Sequence, residues 1–229
     1  TGYKTGLVAE LEKKLQRKLH TVGCTLHQNE LPFRAVFRNI DGTTKSPNHL
    51  AGPMGKIAEK NHDSLSVVNF QPIKSPVEDI NFSDEVIQDL SSDQRLLYEH
   101  IIGISSGNIN LRFAYRRIGL VNHARWLTLA IRLLSAYIHI DIPPENLKLL
   151  VKYIQEVYGP CWFKEKKSNK LSEAPDILLF MIKQMILHSP SIRNISLKKI
   201  EKQCILPAAR EYAVLYALRN MTLRGGQLH

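Results

Sequence analysis

A junction between a strand and a helix is predicted at the stretch Cys24-Thr25-Leu26-His27-Gln28-Asn29-Glu30-Leu31-Pro32. Just before it, residues 19–25 alternate between apolar and polar side chains, which is the period of a β-strand. Just after it, apolar residues recur at the i, i+3, i+4, i+7 spacing of a helix face, at Phe33, Val36, Phe37 and Ile40. A junction of this kind at the end of a sheet is rigid and can hold a functional site.

Length and composition set the class of protein. The chain has 229 residues, and 44% of them are hydrophobic, which is enough for a buried core. Three cysteines cannot all pair within the chain, so a reducing, intracellular location is expected. No apolar run approaches the roughly 18 residues that span a bilayer, so no membrane association is expected. Because Thr1 is not an initiator methionine, we expect the chain to be part of something longer.

Most of the remaining pattern is helical. Residues 61–82 carry two prolines among polar residues and are predicted to form a surface loop. Apolar periodicity and capping residues predict helices at 6–19, from 83, from 92, at about 123–139, from 141 to about 158, from Ser172 or Ala174 to 187, and near 194–204 and 208–221. Gly159-Pro160 is expected to end the 141–158 helix, and the lysines at 164–170 to form a basic loop. Residues 222–229 are expected to be frayed.

A glycine-framed helix start is predicted at Gly52-Pro53-Met54-Gly55-Lys56-Ile57, after a turn at 41–47. Free amide groups at the start of a helix bind anions, so a phosphate cradle is one interpretation. The spacing differs from that of a P-loop, which favours a purely structural helix start.

The charge pattern changes sharply at Glu99. The formal net charge of the chain is +10, and the segment 78–99 is rich in acids. Between Glu99 and Asp141 there is no acidic residue, whereas five arginines occur, at positions 112, 116, 117, 125 and 132. Arg112, Arg116 and Arg117 fall in a predicted loop, where they can reach phosphate, so they are the candidate nucleic-acid-binding residues.

Arg125 and Arg132 are expected to be committed inside the protein rather than to bind nucleic acid. They lie on a predicted helix, 123–139, that is apolar on nearly every face. Such a helix is normally buried, and Trp126 is expected to be one of its buried anchors. A buried guanidinium needs an anionic or carbonyl partner. An internal salt bridge to the acidic segment 78–99 is the first interpretation, and a functional arginine near a site is the second.

Cys24 and His27 could serve as half of a zinc site, but zinc prefers four ligands and no second pair has matching spacing. A Cys–His nucleophilic pair lacks an orienting third group. No metal ligand and no catalytic residue is therefore assigned, and the ordinary alternative is a buried cysteine beside a histidine bonded to backbone.

Together, Cys24-x-x-His27 followed by Asn29-Glu30-Leu31-Pro32, and the later His123-Ala124-Arg125-Trp126-Leu127-Thr128, resemble motifs of the hAT-type transposases. The resemblance covers roughly residues 1–140. It implies an RNase H-like α/β core interrupted by a large helical insertion, with Cys24, His27, Arg125 and Trp126 as motif positions. The family's first two catalytic aspartates would lie upstream of Thr1, and Glu211 does not match the motif of its third acid.

The resemblance therefore implies a mainly α chain. Residues 1–60 would form a partial RNase H-like core segment containing the strand 19–25, 61–82 a loop, and 83–221 the helical insertion. Mg²⁺ or Mn²⁺ would be expected only in an intact family enzyme, so no cofactor is expected here.

Three functions compete at this point. The first is a catalytically inactive, transposon-derived fragment that binds DNA weakly and without sequence preference, which would suit a nuclear location. The second is a helical protein-interaction module without a DNA role. The third is an independent enzyme or metalloprotein that uses Cys24 and His27.

Overall fold

The computed structural model describes residues 7–17, 25–42, 50–60, 62, 65–80, 82–119, 125–167 and 174–203. Within these residues the structure contains helices and no β-strand, so the prediction of a mainly α chain is confirmed. The predicted strand at 19–25 lies outside the described residues, except that Thr25 already belongs to the helix that follows. The predicted helix at 208–221 and the tail at 222–229 also lie outside them.

The described residues of the first half of the chain contain six α-helices. Leu7–Leu15 is α1, Thr25–Asp41 is α2, Pro53–Glu59 is α3, Asp84–Gln88 is α4, Ser92–Ser106 is α5 and Leu111–Ala114 is α6. The predicted loop at 61–82 is largely irregular in its described part, with one 3-10 turn at Pro76–Asp79. Ser91 begins α5 with a reciprocal pair of cap hydrogen bonds involving Gln94, which explains the sharp helix start there.

Five more lie in the described part of the second half. Arg125–His139 is α7, Glu145–Tyr153 is α8, Gly159–Lys167 is α9, Ala174–Leu187 is α10 and Pro190–Gln203 is α11, with a π-helical turn at Ile154–Tyr158 between α8 and α9. Helices α2 and α7 occupy central positions. Helix α2 packs on α11, α9, α8 and α7, whereas α7 packs on α5, α3 and α8.

Helix α7 is buried as its composition predicted. Its apolar side chains from Leu127 to Ile138 lie in the core, and even its polar residues Thr128, Ser135 and His139 are buried. Side chains from before residue 60 and from after residue 83 belong to the same hydrophobic cluster. The division of the chain into a core segment and an insertion stays a prediction.

The prediction that Gly159-Pro160 ends a helix is wrong, because the chain passes through the π-helical turn and continues as α9 to Lys167. In the π turn the N–H of Gly159 donates to the carbonyl of Ile154, five residues earlier. The carbonyl of Gln155 would pair next with residue 160, but Pro160 has no N–H. Instead the hydroxyl of Ser75, 80 positions away in the chain, donates to the Gln155 carbonyl at 2.5 Å.

Lys164, Lys166 and Lys167 therefore belong to helix α9 rather than to a loop. The glycine at 159 has a packing reason as well. A Cβ placed there would lie 2.3 Å from Cδ1 of Ile101 on helix α5. A larger residue there would force the Ile101 side chain to shift, so glycine suits the close approach of α5 and α9.

Candidate nucleic-acid interface

Three of the four motif positions, His27, Arg125 and Trp126, lie in the first turns of the two central helices. Cys24 is outside the described residues, and His27 is in the first turn of α2, where its side chain is not described. Arg125 begins α7, again without a described side chain, and Trp126 follows it. Of the four, only the surroundings of Trp126 can be given in atomic terms.

Trp126 packs against the middle of helix α2. Its ring centroid lies 6.0 Å from that of Phe33 and 6.4 Å from that of Phe37, both in edge-to-face arrangements. The guanidinium carbon of Arg34 lies 5.9 Å from the ring centroid, within cation–π range. Trp126 is half-buried and packs against the core cluster, so it anchors the helix as expected but lies at the edge of the core, less buried than predicted.

Arg132 is the other arginine of helix α7 for which a partner was predicted. Its guanidinium donates to the backbone carbonyls of Ala58, at 3.1 Å, and Gly119, at 2.7 Å. The Ala58 carbonyl belongs to the last turn of α3, where carbonyl groups have no intrahelical donor. The predicted salt bridge to segment 78–99 is therefore wrong for Arg132, because carbonyl groups meet the same need. Burial lowers the pKa of Arg132, although the Glu59 carboxylate opposes this effect.

The glycine-framed helix start holds a carboxylate of the chain itself. Asp41, at the end of α2, accepts hydrogen bonds from the amides of Met54 at 2.7 Å and Gly55 at 3.0 Å. A Cβ on Gly52 would lie 2.0 Å from the Asp41 carbonyl oxygen. These amides are therefore not free for a phosphate, and the structural interpretation of this segment is the one the geometry favours. Burial raises the pKa of Asp41, while the amide donors act in the opposite direction.

The three candidate arginines lie on and just after helix α6, which begins at the Asn110 cap. The side-chain oxygen of Asn110 accepts from the amide of Arg112 at 3.0 Å. Phe113 and Ala114 anchor this segment in the core, which leaves Arg112, Arg116 and Arg117 exposed. The loop prediction is correct for Arg116 and Arg117, whereas Arg112 is helical.

Tyr115 completes this surface, and sequence reasoning missed it. Its side chain is 43% exposed and lies among the three arginines in sequence. The other side of the ring packs near His139 at the end of α7, with the centroids 5.9 Å apart. The signal that could have identified it is an aromatic residue interleaved with arginines, a pattern typical of single-strand binding surfaces. We call Arg112, Tyr115, Arg116 and Arg117 the arginine–tyrosine patch.

The patch arginines are not neutralised within the described part of the chain. None of the three forms an ion pair with a described carboxylate. The nearby Arg95 is already paired with Glu99 at 2.6 Å. The guanidinium carbon of Arg112 lies 6.0 Å from the ring centroid of Phe113. The positive charge of the patch is therefore available to a partner.

Among the described residues, no group of three or more His, Cys, Asp or Glu side chains is arranged to hold a metal ion. No helix within the described ranges has both the length and the apolar character needed to cross a membrane. Comparisons with protein-family models, with curated proteins and with solved structures found no match to this chain.

Proposed function

We propose that this chain is a transposase-like helical protein that binds nucleic acid weakly and without sequence preference, through the arginine–tyrosine patch. The observation that carries the proposal is the exposure of three arginines that no described carboxylate neutralises, beside an exposed tyrosine. Arginine at such a surface donates to phosphate oxygens, which gives affinity without sequence readout. A tyrosine ring can stack on an unpaired base of any type.

The proposal includes no strand-transfer or nuclease activity by this chain alone. A two-metal mechanism needs several oxygen ligands for the ions, and the hAT resemblance assigns no such carboxylate to this sequence. A nuclear location belongs to the same proposal, because DNA would be the partner. Magnesium- or manganese-dependent cleavage of DNA by the purified chain would contradict this part.

The test is a fluorescence anisotropy titration with labelled single-stranded and duplex DNA at several salt concentrations. Replacing Arg112, Arg116 and Arg117 together with glutamine should weaken binding to both. The slope of log affinity against log salt concentration should become less negative. If each arginine contacts one phosphate, the change in slope should be about 2.7 for duplex DNA and about 2 for single-stranded DNA. Unchanged affinity and unchanged slope would refute the assignment of the patch.

A matched control separates a local effect from a loss of net charge. Lys56, Lys167 and Lys183 are also exposed and lie elsewhere on the chain. Their triple change to glutamine removes the same charge and should leave most of the affinity and slope intact. Tyr115→Ala should weaken single-strand binding by about 1–3 kcal/mol and duplex binding much less, because only an unpaired base can stack on the ring.

The protein-interaction alternative is favoured by one feature of helix α1. Leu11 is 40% exposed and Leu15 is 50% exposed, although both lie on its apolar stripe. If the chain shows no DNA binding even at low salt, this alternative replaces the first proposal.

A further inference from the structure

Helix α2 carries a pair of arginines that the nucleic-acid proposal does not use. Arg34 and Arg38 are four residues apart, which places them on one face of the helix, one turn from each other. Both side chains are partly buried, and the Nε atom of each is buried without a hydrogen-bond partner. The ends of both guanidinium groups therefore remain the parts that can meet a ligand.

This face of α2 is held in place by the aromatic residues beside it. Phe33 and Phe37, each adjacent to one of the arginines in sequence, are fully buried and pack against Trp126. The guanidinium carbon of Arg34 lies 5.9 Å from the Trp126 ring centroid. The two cations are also close enough to affect each other: burial, and secondarily the charge of Arg34, lowers the pKa of Arg38.

The carboxylates of helix α2 itself are those of Glu30, one turn before Arg34, and Asp41. Neither arginine forms an ion pair with a described carboxylate. Asp41 is on the same helix, but its two carboxylate oxygens accept from the amides of Met54 and Gly55. Like charges four residues apart on a helix repel, and a buried N–H without an acceptor is destabilising. An anion bound at the guanidinium ends would relieve the repulsion between the two charges.

We infer that Arg34 and Arg38 form a binding site for a phosphate group. Two guanidinium groups match a dianion better than they match a single carboxylate, and the planar fork of arginine suits tetrahedral oxyanions. The site is separate from the arginine–tyrosine patch. Trp126 and His139 lie at opposite ends of α7, about 20 Å apart at 1.5 Å per residue, and Tyr115 packs at the His139 end.

The test uses inorganic pyrophosphate in a chloride buffer. The chain has two tryptophans, so Trp162→Phe leaves Trp126, in contact with Arg34, as the only indole reporter. Pyrophosphate should change the Trp126 fluorescence saturably, and it should raise the thermal midpoint of the unmodified chain. Arg34→Gln and Arg38→Gln should each weaken the apparent affinity by about tenfold or more, while Lys56→Gln should leave it unchanged.

Arg38→Lys keeps the charge and removes the planar fork, so it should weaken the affinity less than Arg38→Gln does. The inference is overturned if pyrophosphate changes neither fluorescence nor thermal midpoint, or if both glutamine variants respond like the unmodified chain. Circular dichroism of each variant shows whether it is folded.

The phosphate could come from a nucleic-acid backbone or from a free phosphate compound. A competition experiment distinguishes these two sources in the variant whose Arg112, Arg116 and Arg117 are replaced by glutamine. If a short DNA displaces pyrophosphate there, the site takes the nucleic-acid backbone; if not, it takes a free phosphate compound. The site does not depend on the proposed function, because pyrophosphate binding should survive loss of the patch.

Discussion

Ser75→Ala should destabilise the protein more than its small change in volume suggests, because Ser75 serves the π-helical turn. Its hydroxyl donates to the carbonyl of Gln155, which has no other donor within its own helix: the Gly159 amide is used by Ile154, and Pro160 has none. Both Ser75 and Gln155 are buried, so water does not readily replace the lost group.

The magnitude follows from two interactions. A buried carbonyl left without a donor costs about 1–3 kcal/mol. The same hydroxyl accepts from the amide of Val77 at 3.3 Å and caps the 3-10 turn, and loss of a cap of this kind costs about 0.5–2 kcal/mol. We therefore expect Ser75→Ala to lower the free energy of unfolding by about 2–4 kcal/mol.

The assay is urea unfolding followed by circular dichroism. Ser92→Ala is the matched control, because Ser92 is exposed and the change should stay within about 0.5 kcal/mol. A double-mutant cycle with Pro160→Ala tests the mechanism itself. Alanine restores an N–H at position 160 that can donate to the freed carbonyl, so Ser75→Ala should cost less in that background. Equal costs in both backgrounds, or no shift in the midpoint with Ser75→Ala alone, would refute the reasoning.

Three further changes have defined outcomes. Gly52→Ala should cost more than about 2 kcal/mol in urea unfolding, because its Cβ would meet Asp41, whereas Gly119→Ala meets nothing within 4 Å and should be near neutral. Trp126→Ala should cost about 2–3 kcal/mol, below the roughly 3–5 kcal/mol of a fully buried aromatic, because the ring is half-buried; a midpoint equal to that of the unmodified chain would contradict this. Burial lowers the pKa of His100 from 6.5 to about 4, so its unfolded form binds the proton more tightly. The contribution of His100 to stability should therefore be full above pH 6.5 and fall by up to about 3 kcal/mol as the pH drops to 4, and His100→Gln should flatten the pH profile by that amount.

The local sequence pattern was sufficient to predict those elements whose structure depends on neighbouring residues alone. The apolar character of α7 on nearly every face predicted its burial, and the helix predicted from residue 92 begins there as α5, because both signals come from neighbours in sequence. The stop predicted at Gly159-Pro160 failed for the opposite reason. A proline inside a helix is tolerated when the freed carbonyl finds a donor, and here the donor is Ser75, which is distant in sequence. No periodicity between 141 and 167 could reveal it.

The candidate site was also predictable only where neighbouring residues in the sequence decide it. An acid-free span with five arginines indicated a basic surface, and three of those arginines are exposed. Tyr115 lies among them in sequence, but its exposure became known only with the structure, in which Phe113 and Ala114 take the core positions of this segment. Arg34 and Arg38 gave no signal at all in sequence, since a pair four apart on an amphipathic helix is ordinarily solvated.

Arg132 shows how an arginine of the same span is committed to the protein itself. Its helix is buried, so its guanidinium had to find acceptors, and it found the carbonyls of Ala58 and Gly119. The sequence predicted that Arg132 needs an acceptor but not which acceptor it uses. Carbonyl groups are present at every residue, and only the packing of α3 on α7 brings the Ala58 carbonyl within hydrogen-bond distance. The patch arginines have no such acceptor in the described residues. The same residue type in one acid-free span is therefore structural on α7 and available to a phosphate on α6, and burial of the helix decides between the two.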